Sequence, residues 1–203
     1  RCTEECPFGA LDDDEKGTPK PNPARCRRCG TCMGACPERV ISFANYNVDQ
    51  IGSMIREINV PPDMKKGGPR VVILACENDA YPALDMAALR GKHWSPYVRI
   101  IPVRCLGSVN AIWVADAMSK GIDGVMMLGC KYGDDYQCHF VKGSEICKRR
   151  KENIAETLNR LGVEPDRVEQ YEVAIDEYDK LPGVIEDFMN MILEKGPNPF
   201  KGY

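Results

Sequence analysis

Three short apolar runs stand out of an otherwise mixed chain: Val71-Val72-Ile73-Leu74-Ala75, Val98-Arg99-Ile100-Ile101-Pro102-Val103 and Gly124-Val125-Met126-Met127-Leu128. Runs of this length, bounded by turn residues, suit strands buried in a parallel sheet. Each precedes a segment with helical character, at 80–89, 109–120 and 144–161, the last closed by Gly162 and Pro165 where helices stop. Residues 167–173 add a fourth strand. Residues 177–194, with Val184, Ile185, Phe188, Ile192 and Leu193 apolar, form a closing helix. The alternation predicts a small doubly wound α/β domain over 70–203.

Upstream the pattern changes. Val48, Ile51, Ile55 and Ile58 recur at helical spacing and predict a short amphipathic helix packed on the following domain. Val60-Pro61-Pro62 stops it, and Lys65-Lys66-Gly67-Gly68-Pro69 has the composition of a linker, so 48–69 reads as helix and linker. Residues 12–23 are charged at first and then punctuated by Pro19, Pro21 and Pro23, which predicts an exposed, extended loop over the N-terminal region. With 43% apolar residues and a net charge of -3, the 203 residues suit one or two compact domains. A pI near 5.6 and no basic tract beyond 148–151 argue against nucleic acid as a partner. No apolar run reaches bilayer length, so any membrane association runs through partner subunits.

The eleven cysteines change the picture most. Cys26, Cys29 and Cys32 are spaced by two residues each, and Cys36-Pro37 follows, completing the bacterial ferredoxin run in which the last cysteine serves the other cluster of a two-cluster domain. The opening Cys2 to Leu11 repeats the spacing of Cys32 to Ile41, so Cys2 and Cys6-Pro7 occupy the third and fourth positions of an earlier run. The crossed rule then assigns Cys6, Cys26, Cys29 and Cys32 to one four-iron four-sulfur cluster, and Cys2 and Cys36 to a second. Two further cysteines are expected upstream of Arg1, spaced by two residues from each other and from Cys2, and the chain reads as the C-terminal piece of a longer polypeptide. Zinc knuckles use two separated pairs, and cysteines this close are poor staples, so iron–sulfur chemistry fits 1–47 better than zinc or disulfides.

Four of the remaining cysteines fall on the α/β domain in a telling way. Cys76, Cys105 and Cys130 each follow a predicted strand, at the carboxyl edge where open parallel sheets bind ligands. Cys138, in the loop after the third strand, reaches the same edge. Four cysteinates on loops suit a two-iron two-sulfur cluster or zinc. Cys147, ahead of the basic run 148–151, is at no ligand spacing and reads as an ordinary thiol. His139 abuts Cys138 and is placed to tune it, while His93 beside Trp94 reads as structural.

The segment Gly129-Cys130-Lys131-Tyr132-Gly133-Asp134, then Cys138-His139, Gly143 and the run from Lys148 through Leu161-Gly162-Val163-Glu164-Pro165 to Val168, resembles the delta subunit of methyl-viologen-reducing hydrogenase. Cys130 and Cys138 enclose seven residues, including Asp135-Tyr136-Gln137, where that family has four, so the loop is expected to bulge. The resemblance implies a two-iron cluster. It also implies electron passage between a hydrogenase or dehydrogenase and the flavoprotein component of heterodisulfide reductase. With a ferredoxin module in front, the order is similar to the C-terminal part of the B subunits of quinone-interacting membrane-bound oxidoreductases of sulfate reducers. That resemblance implies electrons moving between the quinone pool and adenylylsulfate reductase, on the cytoplasmic side of a membrane-associated complex.

No glycine fingerprint for a dinucleotide follows a strand, so FAD belongs to the missing upstream part. No hydrolytic or acyl-transfer constellation is present. The expectation is an electron-transfer module without a substrate site of its own: an α+β two-cluster ferredoxin domain followed by a small α/β domain. The alternative is a docking module whose α/β domain holds a structural zinc.

Overall fold

The computed structural model describes residues 2–133 and 138–202. Positions Asp134, Asp135, Tyr136 and Gln137, where the longer loop was expected to bulge, lie outside the described residues.

The α/β half is built on a four-stranded sheet. Its strands are β3 (Val71–Cys76), β4 (Val98–Val103), β5 (Gly124–Cys130) and β6 (Val168–Val173), all parallel, in the order β4-β3-β5-β6. Every residue of β3 and β5 is buried, which is why those two runs show no polar alternation; the edge strands β4 and β6 are only partly buried. Between the strands run α5 (Ala80–Leu89), α6 (Ala111–Ser119) and α7 (Gly143–Arg160), and α8 (Leu181–Lys195) closes the chain. Helix α5 packs with α8 and α6 with α7, two pairs that cover the sheet on both sides. Predicted and observed limits agree to within a few residues, with one consistent difference. Strands β3 and β5 extend to include Cys76 and Cys130, so these thiols end their strands rather than follow them. The closing helix starts later than expected, at Leu181, because a 3-10 turn over Ile175–Glu177 intervenes.

The N-terminal part consists of α1 (Cys2–Glu5), the antiparallel pair β1 (Leu11–Asp13) and β2 (Pro19–Pro21), and α2 (Thr31–Ala35). The hairpin corrects the expectation of an irregular extended loop at 12–23. Asp14 Oδ1 accepts the N–H groups of Lys16 (2.9 Å) and Thr18 (2.8 Å), and Gly17 takes the left-handed conformation, φ 73°. Together they reverse the chain and let the strands pair despite three prolines.

Helix α3 (Val48–Arg56), capped by Asn47 accepting from the Gln50 amide at 2.8 Å, packs on α6 as its apolar spacing predicts. The fully buried Trp113 donates from Nε1 to the Val48 carbonyl at 2.8 Å, and Arg56 pairs with Asp116 at 2.7 Å. The linker composition at 65–69 conceals a short helix, α4 (Met64–Gly67), capped by Asp63. A single core runs from Cys29, Met33 and Tyr46 through α3 into both faces of the sheet. The ferredoxin-like part is therefore docked on the α/β part.

At the amino end of the strands, Asp123 is fully buried. It accepts from the Arg70 amide (2.7 Å) and the Asn198 amide (3.0 Å), and it pairs with the buried Lys201 ammonium. This ties the chain's C-terminal segment under the sheet.

Candidate metal centres

Two groups of cysteines converge. In the N-terminal part, Cys6, Cys26, Cys29 and Cys32 line one cavity of about 260 Å³, walled by Phe8, Ile41, Phe43 and the hairpin prolines. A water's share of liquid is roughly 30 Å³, so the space exceeds what a single ion would fill. Left-handed backbone at Arg28 (φ 56°) and Gly30 (φ 84°) curls the Cys26 to Cys32 segment around it. The Ala10 N–H donates to Cys6 Sγ at 3.3 Å, and the Cys29 thiol donates to Thr31 Oγ1 at 3.3 Å. Burial pushes the Cys29 thiol up, and burial with the nearby Cys29, Cys6 and Cys26 sulfurs pushes Cys32 up to about 11. Thiols gathered around one space, two of them held protonated by burial, are what cationic iron would neutralise. The donor set and the cavity fit a four-iron cluster.

Cys36 ends α2 outside that cavity, and Asn110 Nδ2 donates to its carbonyl and to that of Met33, both at 3.2 Å. Cys2 begins α1, which packs on α2. These two are thus set apart from the group of four.

In the α/β half the four expected thiols are all buried and come together pair by pair. Cys76 and Cys130, on neighbouring strands β3 and β5, bring their sulfurs to 3.4 Å. Cys130 in turn hydrogen-bonds to Cys138, and Cys138 to Cys105. Cys105 lies two residues past β4, at the start of a 3-10 turn, Leu106–Ser108. Strands β3 and β5 flank the point where the winding of the sheet reverses, the crevice in which doubly wound sheets bind their ligands. The thiols share protons unequally. Hydrogen bonds from Cys105 and Cys130, with the Gly143 and Phe140 amides, pull Cys138 down to about 2, while the same bonds push Cys105 and Cys130 up. Cys76 is lowered by the Cys130 thiol and by the Asn78 and Asp79 amides. Among the described residues, no three His, Cys, Asp or Glu side chains close on one point as a single ion requires. Four sulfurs gathered in neighbouring pairs match the donor demand of a two-iron cluster, two thiolates to each iron.

Cys147 stands apart, as its spacing predicted. It is buried against Met127 Sδ at 3.6 Å, and burial pushes its thiol up to about 12. His139 and His93 are both exposed.

Residues 71–196, well over half the chain, match the family described as methyl-viologen-reducing hydrogenase, delta subunit. The chain belongs to that family. In this delta-subunit chain the N-terminal part carries a separate match, residues 19–42, to a 4Fe-4S binding domain, which makes it an iron–sulfur protein of the electron-transfer class. The D-type iron-sulfur subunit of an F420-non-reducing hydrogenase from Archaeoglobus profundus is 33% identical over 133 residues, covering 66% of this chain and 95% of that one. The corresponding vhu subunit of Methanopyrus kandleri is 32% identical over 127 residues, 63% of this chain and 94% of that one. The A-type subunit of the ferredoxin:CoB-CoM heterodisulfide reductase of Methanosarcina mazei is 27% identical over 218 residues, 93% of this chain but 27% of that one.

Sequence reasoning missed what joins the two centres in this delta-subunit chain. A methyl group on Gly107, in the turn after Cys105, would sit 2.7 Å from Thr31 Oγ1 and 3.2 Å from Gly143 Cα; one on Gly143 would sit 2.0 Å from Cys105 Sγ. Thr31 touches Cys29, so a seam of glycine contacts leads from one cysteine group to the other. Ser108 Oγ extends it, bonding to the Cys105 carbonyl (2.7 Å) and the Tyr46 hydroxyl (2.6 Å). Arg150 clasps the same place, donating to the carbonyls of Gly107 (2.7 Å) and Thr31 (3.2 Å) and to Glu5 (2.9 Å). Two glycines 36 residues apart, one in a 3-10 turn and one at a helix start, gave no pattern to find.

Proposed function

We propose that this chain relays electrons between a ferredoxin domain and a two-iron centre in its α/β domain. Cys6, Cys26, Cys29 and Cys32 hold one four-iron cluster; Cys2 and Cys36 belong to a second. Cys76, Cys105, Cys130 and Cys138 hold the two-iron cluster. The observation that carries the reading is the glycine seam from Cys29 through Thr31, Gly107 and Gly143 to Cys105, because electron transfer needs two centres close together with no water between them. When bound, the clusters supply one-electron chemistry. The protein's own residues bind them, exclude water and donate hydrogen bonds to sulfur, through the Ala10 amide at Cys6 and the Asn78 amide at Cys76 (3.4 Å).

The names of the relatives place such chains in hydrogenase and heterodisulfide reductase assemblies. Combined with the resemblance to B subunits of quinone-interacting oxidoreductases, this supports a relay between the quinone pool and adenylylsulfate reductase in sulfate reduction. FAD would be held elsewhere in the complex, which would associate with the membrane through partners on its cytoplasmic side. Among the described residues no helix is long and apolar enough to cross a membrane. The test is reoxidation of the reduced, anaerobically reconstituted protein by adenylylsulfate reductase turning over adenylylsulfate, without mediators. Clusters that stay reduced there, yet are oxidised by a heterodisulfide reductase, would remove the sulfate assignment and keep the relay.

A structural zinc is the second reading, favoured by one distance. The 3.4 Å between Cys76 and Cys130 sulfurs is close to the separation of roughly 4 Å that bonds of about 2.3 Å to one zinc would impose. Iron and zinc analysis of the purified chain separates the two.

The seam makes its own prediction. Gly107→Ala should lower stability by about 1–3 kcal/mol through overpacking and slow transfer between the two centres, while each centre keeps its own spectrum. Unchanged denaturation and unchanged transfer kinetics would show that the contact is incidental.

A further inference from the structure

Cys105 is held from the ferredoxin-like part by the Tyr46 hydroxyl. Tyr46 is 8% exposed, and the turn that presents it is closed by the paired amides and carbonyls of Phe43 and Tyr46, at 2.9 and 3.1 Å. Asn45 within that turn takes the left-handed conformation, φ 60°, which asparagine tolerates. The direction of each bond around the hydroxyl follows from counting protons. A carbonyl only accepts, so the single Ser108 hydroxyl proton goes to the Cys105 carbonyl at 2.7 Å, and the Tyr46 hydroxyl, 2.6 Å from Ser108 Oγ, must be the donor there. An amide only donates, so Tyr46 in turn accepts from the Arg104 N–H at 3.3 Å. The run therefore goes from the Arg104 N–H to Tyr46, to Ser108 and to the Cys105 carbonyl, and it closes over residues 104 and 105. The turn has little slack on its other sides. The Ser108 amide donates to the same carbonyl at 2.8 Å, and a methyl group on Gly30, next to Cys29, would meet Ser108 Cβ at 2.7 Å. The Arg104 carbonyl accepts from Asn78 Nδ2 at 3.5 Å, and the Asn78 amide donates to Cys76 Sγ at 3.4 Å. Burial pushes the Tyr46 phenol up to about 12, so at neutral pH it keeps the proton it donates.

We infer that Tyr46 is a positioning residue for the Cys105 thiolate: through Ser108 and Arg104 its hydroxyl fixes the bend between β4 and the 3-10 turn, so the docked ferredoxin-like part sets the geometry of the α/β centre as well as lying beside it. The inference rests on the two-iron reading above. Groups that orient a ligand govern both how tightly the metal is held and its electronic state. Removal of the hydroxyl alone would leave the Arg104 amide without its acceptor and the Ser108 hydroxyl without its donor, and Cys105 would lose the restraint on both sides. The glycine seam keeps the two centres near; the hydroxyl keeps one ligand aimed.

The test uses the full chain reconstituted anaerobically with ferrous iron and sulfide. Tyr46→Phe, which keeps the ring, should shift the reduced-state resonance spectrum of the α/β centre and lower its iron retention about ten-fold, with the ferredoxin signal unchanged. Ser108→Ala breaks the same run one bond later and should give the same shift, and the double variant should show no more than either alone. Trp113→Phe removes another buried bond, to the Val48 carbonyl where α3 packs on α6, and should lower stability while leaving both signals as they are. A merely structural tyrosine would make Tyr46→Phe behave like Trp113→Phe. The spectrum and iron content of the unmutated chain in Tyr46→Phe would overturn the inference. If that variant does not fold, the same result in Ser108→Ala overturns it instead. Failure of the parent reading looks different: the unmutated chain would then hold no iron beyond its ferredoxin clusters, and no second signal would exist for any variant to shift.

Discussion

Cys29→Ser, reconstituted under anaerobic conditions, should contain about four fewer irons per chain than the unmutated protein and lose one reduced-state resonance signal. Cys29 is the most enclosed of the four cysteines around the N-terminal cavity, at 6% exposure, and its thiol touches Thr31 at 3.3 Å. A serine hydroxyl in its place is a poor ligand for a soft iron–sulfur core, and it cannot approach the metal as a larger sulfur does. The loss should be confined to that cluster. Cys147→Ser, by contrast, should leave iron content untouched, because Cys147 is packed against Met127 and faces neither group. Unchanged iron and an unchanged signal in Cys29→Ser would overturn the ligand assignment, and loss of iron in Cys147→Ser would mean a centre has been placed wrongly.

Lys201→Ala should lower the unfolding free energy by about 3–5 kcal/mol without altering either centre's spectrum. The Lys201 and Asp123 side chains are 1% and 0% exposed, so removal of the ammonium leaves a carboxylate charge far from water. Two amides, from Arg70 and Asn198, still donate to it, but they do not neutralise it. Strand β5 separates the pair from Cys130 by seven residues, and at roughly 3.3 Å per residue the centre is about 20 Å away. Urea denaturation followed beside the visible absorption of the clusters checks both halves of the prediction. A small change in stability would mean that the C-terminal segment is not held by this charge pair.

Much of this was legible in the sequence because the signals are local. Three apolar runs at 71–75, 98–103 and 124–128 each place a strand, and buried parallel strands leave little other reading. Once the strands are set, Cys76, Cys105 and Cys130 must share an edge, and the structure draws them together with Cys138. The hairpin at 11–21 was hidden because its pairing depends on the Asp14 carboxylate and on Gly17, while its prolines argue for an open chain. Tyr46 was hidden because a lone tyrosine carries no ligand spacing; only the geometry shows its hydroxyl beside Cys105. Lys201 and Asp123 are 78 residues apart and their pairing leaves no periodic trace.

The seam at Gly107 and Gly143 also bears on how strongly the two halves need to hold one another. Glycine contacts bury little apolar area, and the area they forgo would ordinarily be the source of affinity between docked modules. Here α3 and the segment that follows it join the halves covalently. Such a connection keeps the ferredoxin part at an effective concentration of millimolar order. Affinity is thereby relieved of its task, and the surface is free to be shaped for nearness alone. The D-type hydrogenase relative from Archaeoglobus profundus matches 66% of this chain over 95% of its own length, and the delta-subunit family model matches residues 71–196. A ferredoxin module brought to such a surface from a separate chain would lack the tether, and it would have to recover in side-chain contact what the peptide link supplies here.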